Sequence, residues 1–187
     1  MTVHPILQLG DPFLRRVATP VADPLAADIQ ALVDDLVDTM RDAAGAGLAA
    51  TQIGVDARVV VMEVAENPRY PYKPPLPLTV AINPVVEPLD DETVEINEGC
   101  LSVPLRGFVR RHVNLRVRYL DRAGVAHDRV VRGLTAGTWQ HECDHLDGTL
   151  IVDRADPKRL ATWDEYERHY RDEFVDRITE FVARVGS

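Results

Sequence analysis

The chain has 187 residues, 45% of them hydrophobic and 27% charged, with a formal net charge of −9. That composition suits a soluble globular protein long enough to bury a real core, and the acidic balance argues against broad electrostatic binding to DNA or an anionic membrane. No apolar stretch approaches the roughly 20 residues needed to span a bilayer. Met1 to Gly10 lacks the charged-then-apolar layout of a signal peptide, so a cytoplasmic protein of bacterial origin is expected. In that compartment Cys100 and Cys143 are expected to stay reduced rather than pair.

The first predicted element is a helix opened by Asp23-Pro24 as cap and first residue, running to about Ala44 and stopped by Gly45. Leu25, Ile29, Leu32, Val33, Leu36, Val37 and Met40 give it one apolar stripe, which reads as core. Val59 to Val64 reads as a buried strand. Residues 67–78 carry five prolines and are expected to form a rigid surface loop. Thr79 to Val86 and Glu92 to Ile96 are further strand candidates. Val109 to Leu120 alternates and is followed by Asp121-Arg122-Ala123-Gly124 and then Val125 to Arg132, the pattern of a hairpin. A helix starts near Thr135, with Gly148 as its stop. Pro157 is expected to start a last amphipathic helix to about Arg184. Repeats, low-complexity tracts and linkers are absent from the sequence. The expectation is a single domain over residues 1–187 of the α+β class, with mostly antiparallel sheets around a central helix and a C-terminal helix.

The central helix carries the chemistry. Residues 140–146 read Gln-His-Glu-Cys-Asp-His-Leu, in which His141, Glu142 and His145 make a complete His-Glu-x-x-His. Helix positions i and i+4 share a face about 5–6 Å apart, so two imidazoles can grip one metal ion. Glu142 lies about 100° round from His141, where a general base stands to take a proton from water on the metal. Two helical histidines can equally be ordinary packed residues, and a third ligand decides between these readings.

Three candidates compete for it. A thermolysin-like peptidase takes a glutamate from a downstream helix, and Glu165 lies 20 residues beyond His145. A metzincin-like continuation fails because Ile151 stands where a third histidine is required. Cys100, within Glu98-Gly99-Cys100-Leu101-Ser102, offers a soft thiolate that with two histidines leaves a fourth position open for water. Cys143 points about 200° away from His141 around the helix and is expected to pack in the core.

Three segments together resemble peptide deformylase: Gly45-Ala46-Gly47-Leu48-Ala49-Ala50-Thr51-Gln52, then Glu98 to Ser102, then Gln140 to His145. They occur in the family's order, and the likeness extends from Leu9-Gly10-Asp11-Pro12 to about Asp153. The resemblance implies hydrolytic removal of formyl from the N-terminal formylmethionine of nascent polypeptides. It implies Cys100, His141 and His145 as metal ligands and Glu142 as acid/base. Gln52 and the backbone N–H of Leu101 would hydrogen-bond the formyl oxygen, and Gly45, Ala46, Gly47 and Gly99 would line the site of an extended peptide. It further implies Fe(II) in the cell, with zinc, nickel or cobalt as substitutes, since a mixed S/N donor set accepts all of them.

Two details follow from the same residues. Glu98 is expected to pair with Arg106, Arg110 or Arg111, and the small Gly137 and Thr138 suggest a roomy methionine pocket. The family's C-terminal helix can contact the ribosome, but residues 153–187 hold nine acidic and seven basic side chains, so contact here is expected to be weak and transient at most. The alternatives are a metallopeptidase using Glu165, or a catalytically inactive ribosome-associated homologue.

Overall fold

The computed structural model describes residues 2–65 and 72–186. Helix α1 (Ala27–Asp42) leads to strand β1 (Gly47–Ala49), then β2 (Val59–Val64), β3 (Leu76–Pro88), β4 (Thr93–Cys100), β5 (Val103–His112), β6 (Asn114–Leu120) and β7 (Ala126–Arg132). Helices α2 (Gly133–Leu146), α3 (Ile151–Arg154), α4 (Trp163–His169) and α5 (Arg171–Val185) follow. All strand pairings are antiparallel. Five strands form one sheet in the order β1-β2-β3-β6-β7, and β4-β5 form a second sheet. This is the α+β architecture expected from the element order.

The large sheet is covered on both faces. Val59 and Val61 of β2 pack with Leu32, Val33, Leu36 and Met40 of α1, while Val60 and Met62 pack with Trp139, Cys143 and Leu146 of α2. A strand buried on both faces loses its polar alternation, which is why residues 59–64 read as an unbroken apolar run. The opposite side of α2 meets the second sheet and α5, where Leu134 joins Ile96, Phe108, Phe174, Ile178 and Phe181 in another cluster. Helix α2 is therefore central, and polar side chains on it are held in a dry environment.

Four expectations need correction. The Asp23 carboxylate accepts the N–H of Leu25 at 2.9 Å in a local turn, so α1 begins at Ala27 and Leu25 stays exposed. The run 109–120 is not one strand: it divides at Val113, whose N–H donates to Glu92 and whose carbonyl accepts from Gly133. β5 then belongs to the small sheet and β6 to the large one. Residues 76–78 are strand rather than loop, residues 67–71 lie outside the described residues, and 72–75 are irregular as expected.

The C-terminal helix does not start at Pro157. Ala161 exchanges two backbone hydrogen bonds with Arg106, at 2.8 and 3.0 Å, which holds the chain extended until Thr162 caps α4. A break at Tyr170 then separates α4 from α5.

Candidate active site

Each of the three segments singled out in the sequence delivers one wall. β1 is an edge strand of the large sheet, pairing with β2 on one side. β4 and β5 meet in a tight turn at Cys100–Val103. α2 brings His141 and His145 to one face, their rings 5.0 Å apart. A cleft of about 260 Å³ is lined from all three, including Gly45, Ala46, Gly47, Gln52, Gly99, Cys100, Leu101, Gly137, Thr138, His141 and Glu142. His145 lies behind them, almost fully buried.

Cys100, His141 and His145 each offer a ligand atom, and these atoms lie within 4.8 Å of one another; Cys100 Sγ and His145 Nε2 are 3.3 Å apart. Tetrahedral ligands at about 2.1–2.3 Å from a cation sit about 3.4–3.8 Å from each other, so this spacing fits a divalent metal. Glu165 is not in the group: on α4 it pairs with Arg168 at 2.8 Å and His169 at 3.2 Å, with its side chain half exposed. The third ligand position thus falls to Cys100, and the thermolysin-like reading is not favoured.

The second layer is ionic and buried. His141 Nδ1 meets Glu98 Oε2 at 3.0 Å, which leaves Nε2 available to a metal ion. Glu98 is held by both Arg111 Nε, at 2.7 Å, and Arg111 Nη2, at 2.8 Å. Of the three candidate arginines this is the one at an inward position of the period-two pattern running through Val109, Val113 and Leu115. Arg111 is 2% exposed and also binds Asp144 at 2.6 Å, to which Arg154 adds a further pair. Burial alone would raise the Glu98 carboxyl, but the charge and hydrogen bonds of Arg111 override it and hold it at about 2.

Glu142 has the opposite environment. Burial pushes its carboxyl up to about 7, and Oε2 has no hydrogen-bond partner among the described residues. Burial also drives His145 well below its ordinary value, which keeps it neutral as a ligand must be. Cys143, expected in the core, is indeed buried, and burial pushes its thiol up to about 12.

Gln52 sits in the 3-10 turn Ala50–Ile53 that follows β1, 1% exposed. Its Oε1 accepts the N–H of Ala49 at 2.9 Å, so its amide Nε2 is turned toward Ser102 Oγ at 3.0 Å and Cys100 Sγ at 3.7 Å. Ser102 was not anticipated; its only sequence signal is its place beside Cys100. At Gly47 an added Cβ would lie 2.3 Å from Glu142 Oε1, so the Glu142 carboxylate occupies the space of a side chain there. Gly137, Thr138 and Ile96 all line the cleft, and an added Cβ at Gly137 would lie 2.7 Å from Ile96 Cδ1.

The family model for polypeptide deformylase matches residues 3–161. The chain belongs to that family. Peptide deformylase 2 of Ralstonia nicotianae is 51% identical over 149 residues, which cover 79% of this chain and 84% of that protein. Peptide deformylase 1 of Bordetella pertussis is 48% identical over 153 residues, 81% and 87% of the two chains. A class I type b peptide deformylase from Acinetobacter baumannii, crystallised with Met-Ala-Ser bound, superposes with a TM-score of 0.79 at 36% identity. That match covers 82% of this chain and 98% of the other. The family assignment makes the protein a metal-dependent hydrolase that removes N-formyl groups from newly made polypeptides, and its metal site is a Cys/His/His cluster.

Proposed function

We propose that residues 1–187 act as one catalytic domain in which Cys100, His141 and His145 hold Fe(II), with zinc, nickel or cobalt as substitutes. A divalent cation held there acidifies water and polarises a carbonyl. Glu142 is the general base that takes the proton from the attacking water, and it returns that proton to the leaving amine. Its unpartnered Oε2, and a carboxyl raised to about 7 by burial, suit a group that must both accept and release a proton near neutrality.

The Gln52 amide and the Leu101 N–H donate to the oxygen on which charge develops. Gln52 is preorganised for this by the Ala49 bond that fixes its orientation. One such donor is typically worth about 3–4 kcal/mol of barrier. Gly45, Ala46, Gly47 and Gly99 line the groove in which an extended peptide runs beside the free edge of β1. The Met-Ala-Ser bound to the Acinetobacter relative is a peptide of the kind such a groove accepts. The working place is a bacterial cytoplasm, with weak, transient ribosome contact at most.

The observation that carries this reading is the convergence of a thiol and two imidazoles beside a buried carboxylate whose Oε2 has no partner among the described residues. Its test is anaerobic turnover of formyl-Met-Ala-Ser with metal analysis of the same samples. Wild type should release formate. Cys100→Ala should lose both metal and turnover, whereas Glu142→Ala should keep the metal and lose most turnover. Formate release undiminished in either variant would refute the role given to that residue.

A further inference from the structure

The matched family region ends at residue 161, yet the cleft does not. Trp163, the first residue of α4, lines it beside Val103 and Arg106. Its placement is built rather than incidental. Thr162 caps the helix that carries it, and the two-bond Ala161–Arg106 bridge pins the preceding backbone to β5. The Arg106 guanidinium lies 4.6 Å from the Trp163 ring centroid and 4.6 Å from that of Tyr166. Arg106 is itself 4% exposed, with Nε donating to Asn97 Oδ1 at 2.8 Å and Nη2 to the Asn97 carbonyl at 3.1 Å. The close approach of Arg106 to Gly99, where a Cβ would lie 2.6 Å from Nη1, ties this stack to the strand that bears Cys100.

We propose that Trp163 is a specificity-determining residue: the arm beyond residue 161 completes the substrate cleft with an indole platform for a large apolar or aromatic side chain following the formylmethionine. The Arg106 charge is covered by two rings and the Asn97 oxygens, so this part of the wall presents ring surface rather than a bare cation. The cleft also includes Lys73 on its lining. An aromatic side chain in the peptide gains stacking area there that a cationic or small aliphatic one does not. The indole is clamped by Arg106 and Tyr166, so little side-chain entropy is lost on binding.

This inference rests on the deformylase reading above, and its experiment separates the two. Formate release is measured for formyl-Met-Phe-Ser, formyl-Met-Ala-Ser and formyl-Met-Lys-Ser, and kcat/KM values are compared as ratios. Wild type should favour the Phe peptide over the Ala peptide by about 3- to 10-fold, as expected for one aromatic contact, and should disfavour the Lys peptide. Trp163→Ala should bring the Phe/Ala ratio near one, and Trp163→Phe should restore part of it, which a merely structural role would not do. Binding of the product Met-Phe-Ser should also perturb tryptophan fluorescence in the wild type and not in Trp163→Phe. A wild type without the Phe preference, or a ratio unchanged in Trp163→Ala, overturns the role of Trp163 and leaves the deformylase reading intact. No formate from any peptide would sink the deformylase reading and this inference with it.

Discussion

At the residue scale the site is governed by two buried carboxylates with opposite environments. Glu98 has Arg111, so its ionised form is favoured despite burial; Glu142 has no such partner, so its protonated form is. The consequences for stability have opposite signs. Glu98, held at about 2, stabilises the fold above its ordinary value of 4.5, and that contribution is lost as pH falls toward 2. Glu142, raised to about 7, keeps a proton that the unfolded chain gives up above 4.5, so stability falls as pH rises from 4.5 to about 7 and stays lost above it. In metal-free protein, Glu142→Gln should therefore gain about 3 kcal/mol at pH 8 and little at pH 5. Urea unfolding of the chelated protein at both pH values measures this, and an equal gain at both would refute the assignment.

Gly47 belongs to the same scale. Glu142 occupies the space that a side chain at residue 47 would need. Gly47→Ala should push the carboxylate out of place and lower kcat by about 10²–10⁴-fold, the usual worth of a general acid–base group. Bound metal, measured by elemental analysis, should remain.

At the element scale, the end of α1 shows how a local rule was obeyed by an unexpected residue. The left-handed position after the helix is taken by Ala44 at φ +50°, with its N–H on the carbonyl of Arg41 and that of Gly45 on the carbonyl of Met40. This is a Schellman closure with glycine one place late. A left-handed L-residue costs about 1–2 kcal/mol, so Ala44→Gly should stabilise the protein by about 1 kcal/mol and raise Tm by about 2–4 °C. Calorimetry would show this, and a lower Tm would contradict it. By contrast Gly148, the expected stop of α2, sits at φ +70° with Arg15 O only 2.6 Å from a would-be Cβ, so both conformation and space demand glycine there.

Also at this scale, the apolar alternation of residues 109–120 was legible although the strand break was not. Val109, Arg111, Val113, Leu115, Val117 and Tyr119 all face inward, across two different sheets. The inward face of the chain is preserved through the break at Val113, so a period-two pattern carries no trace of the change of partner. The split of the C-terminal helix is hidden for a related reason: the Ala161–Arg106 bridge joins residues 55 positions apart.

On the scale of the whole molecule, α2 is clamped between the large sheet on one side and β5 with α5 on the other. That arrangement holds three metal-competent side chains and the Glu142 carboxylate in a rigid interior while the cleft opens beside β1. A metal bound by the folded state alone stabilises it by mass action, about 4 kcal/mol at a thousand times its Kd. Chelation should thus lower Tm by on the order of 10 °C, and Cys100→Ala should show no such loss. A thermal scan with and without chelator checks both.

Much of the site was written into short segments. His-Glu-x-x-His on a helix fixes the relation of His141, Glu142 and His145 because backbone geometry alone determines which residues share a face. The continuous run at 59–64, the turn at 121–124 and the buried Cys143 were legible for the same local reason. Which third ligand completes the cluster, which arginine holds Glu98, why residue 47 must be glycine and how Trp163 reaches the cleft all depend on contacts between residues distant in the chain. Those are decided by packing, where α2 is pressed against β1 and the β4–β5 hairpin, and no periodicity within one segment records which distant surface it will meet.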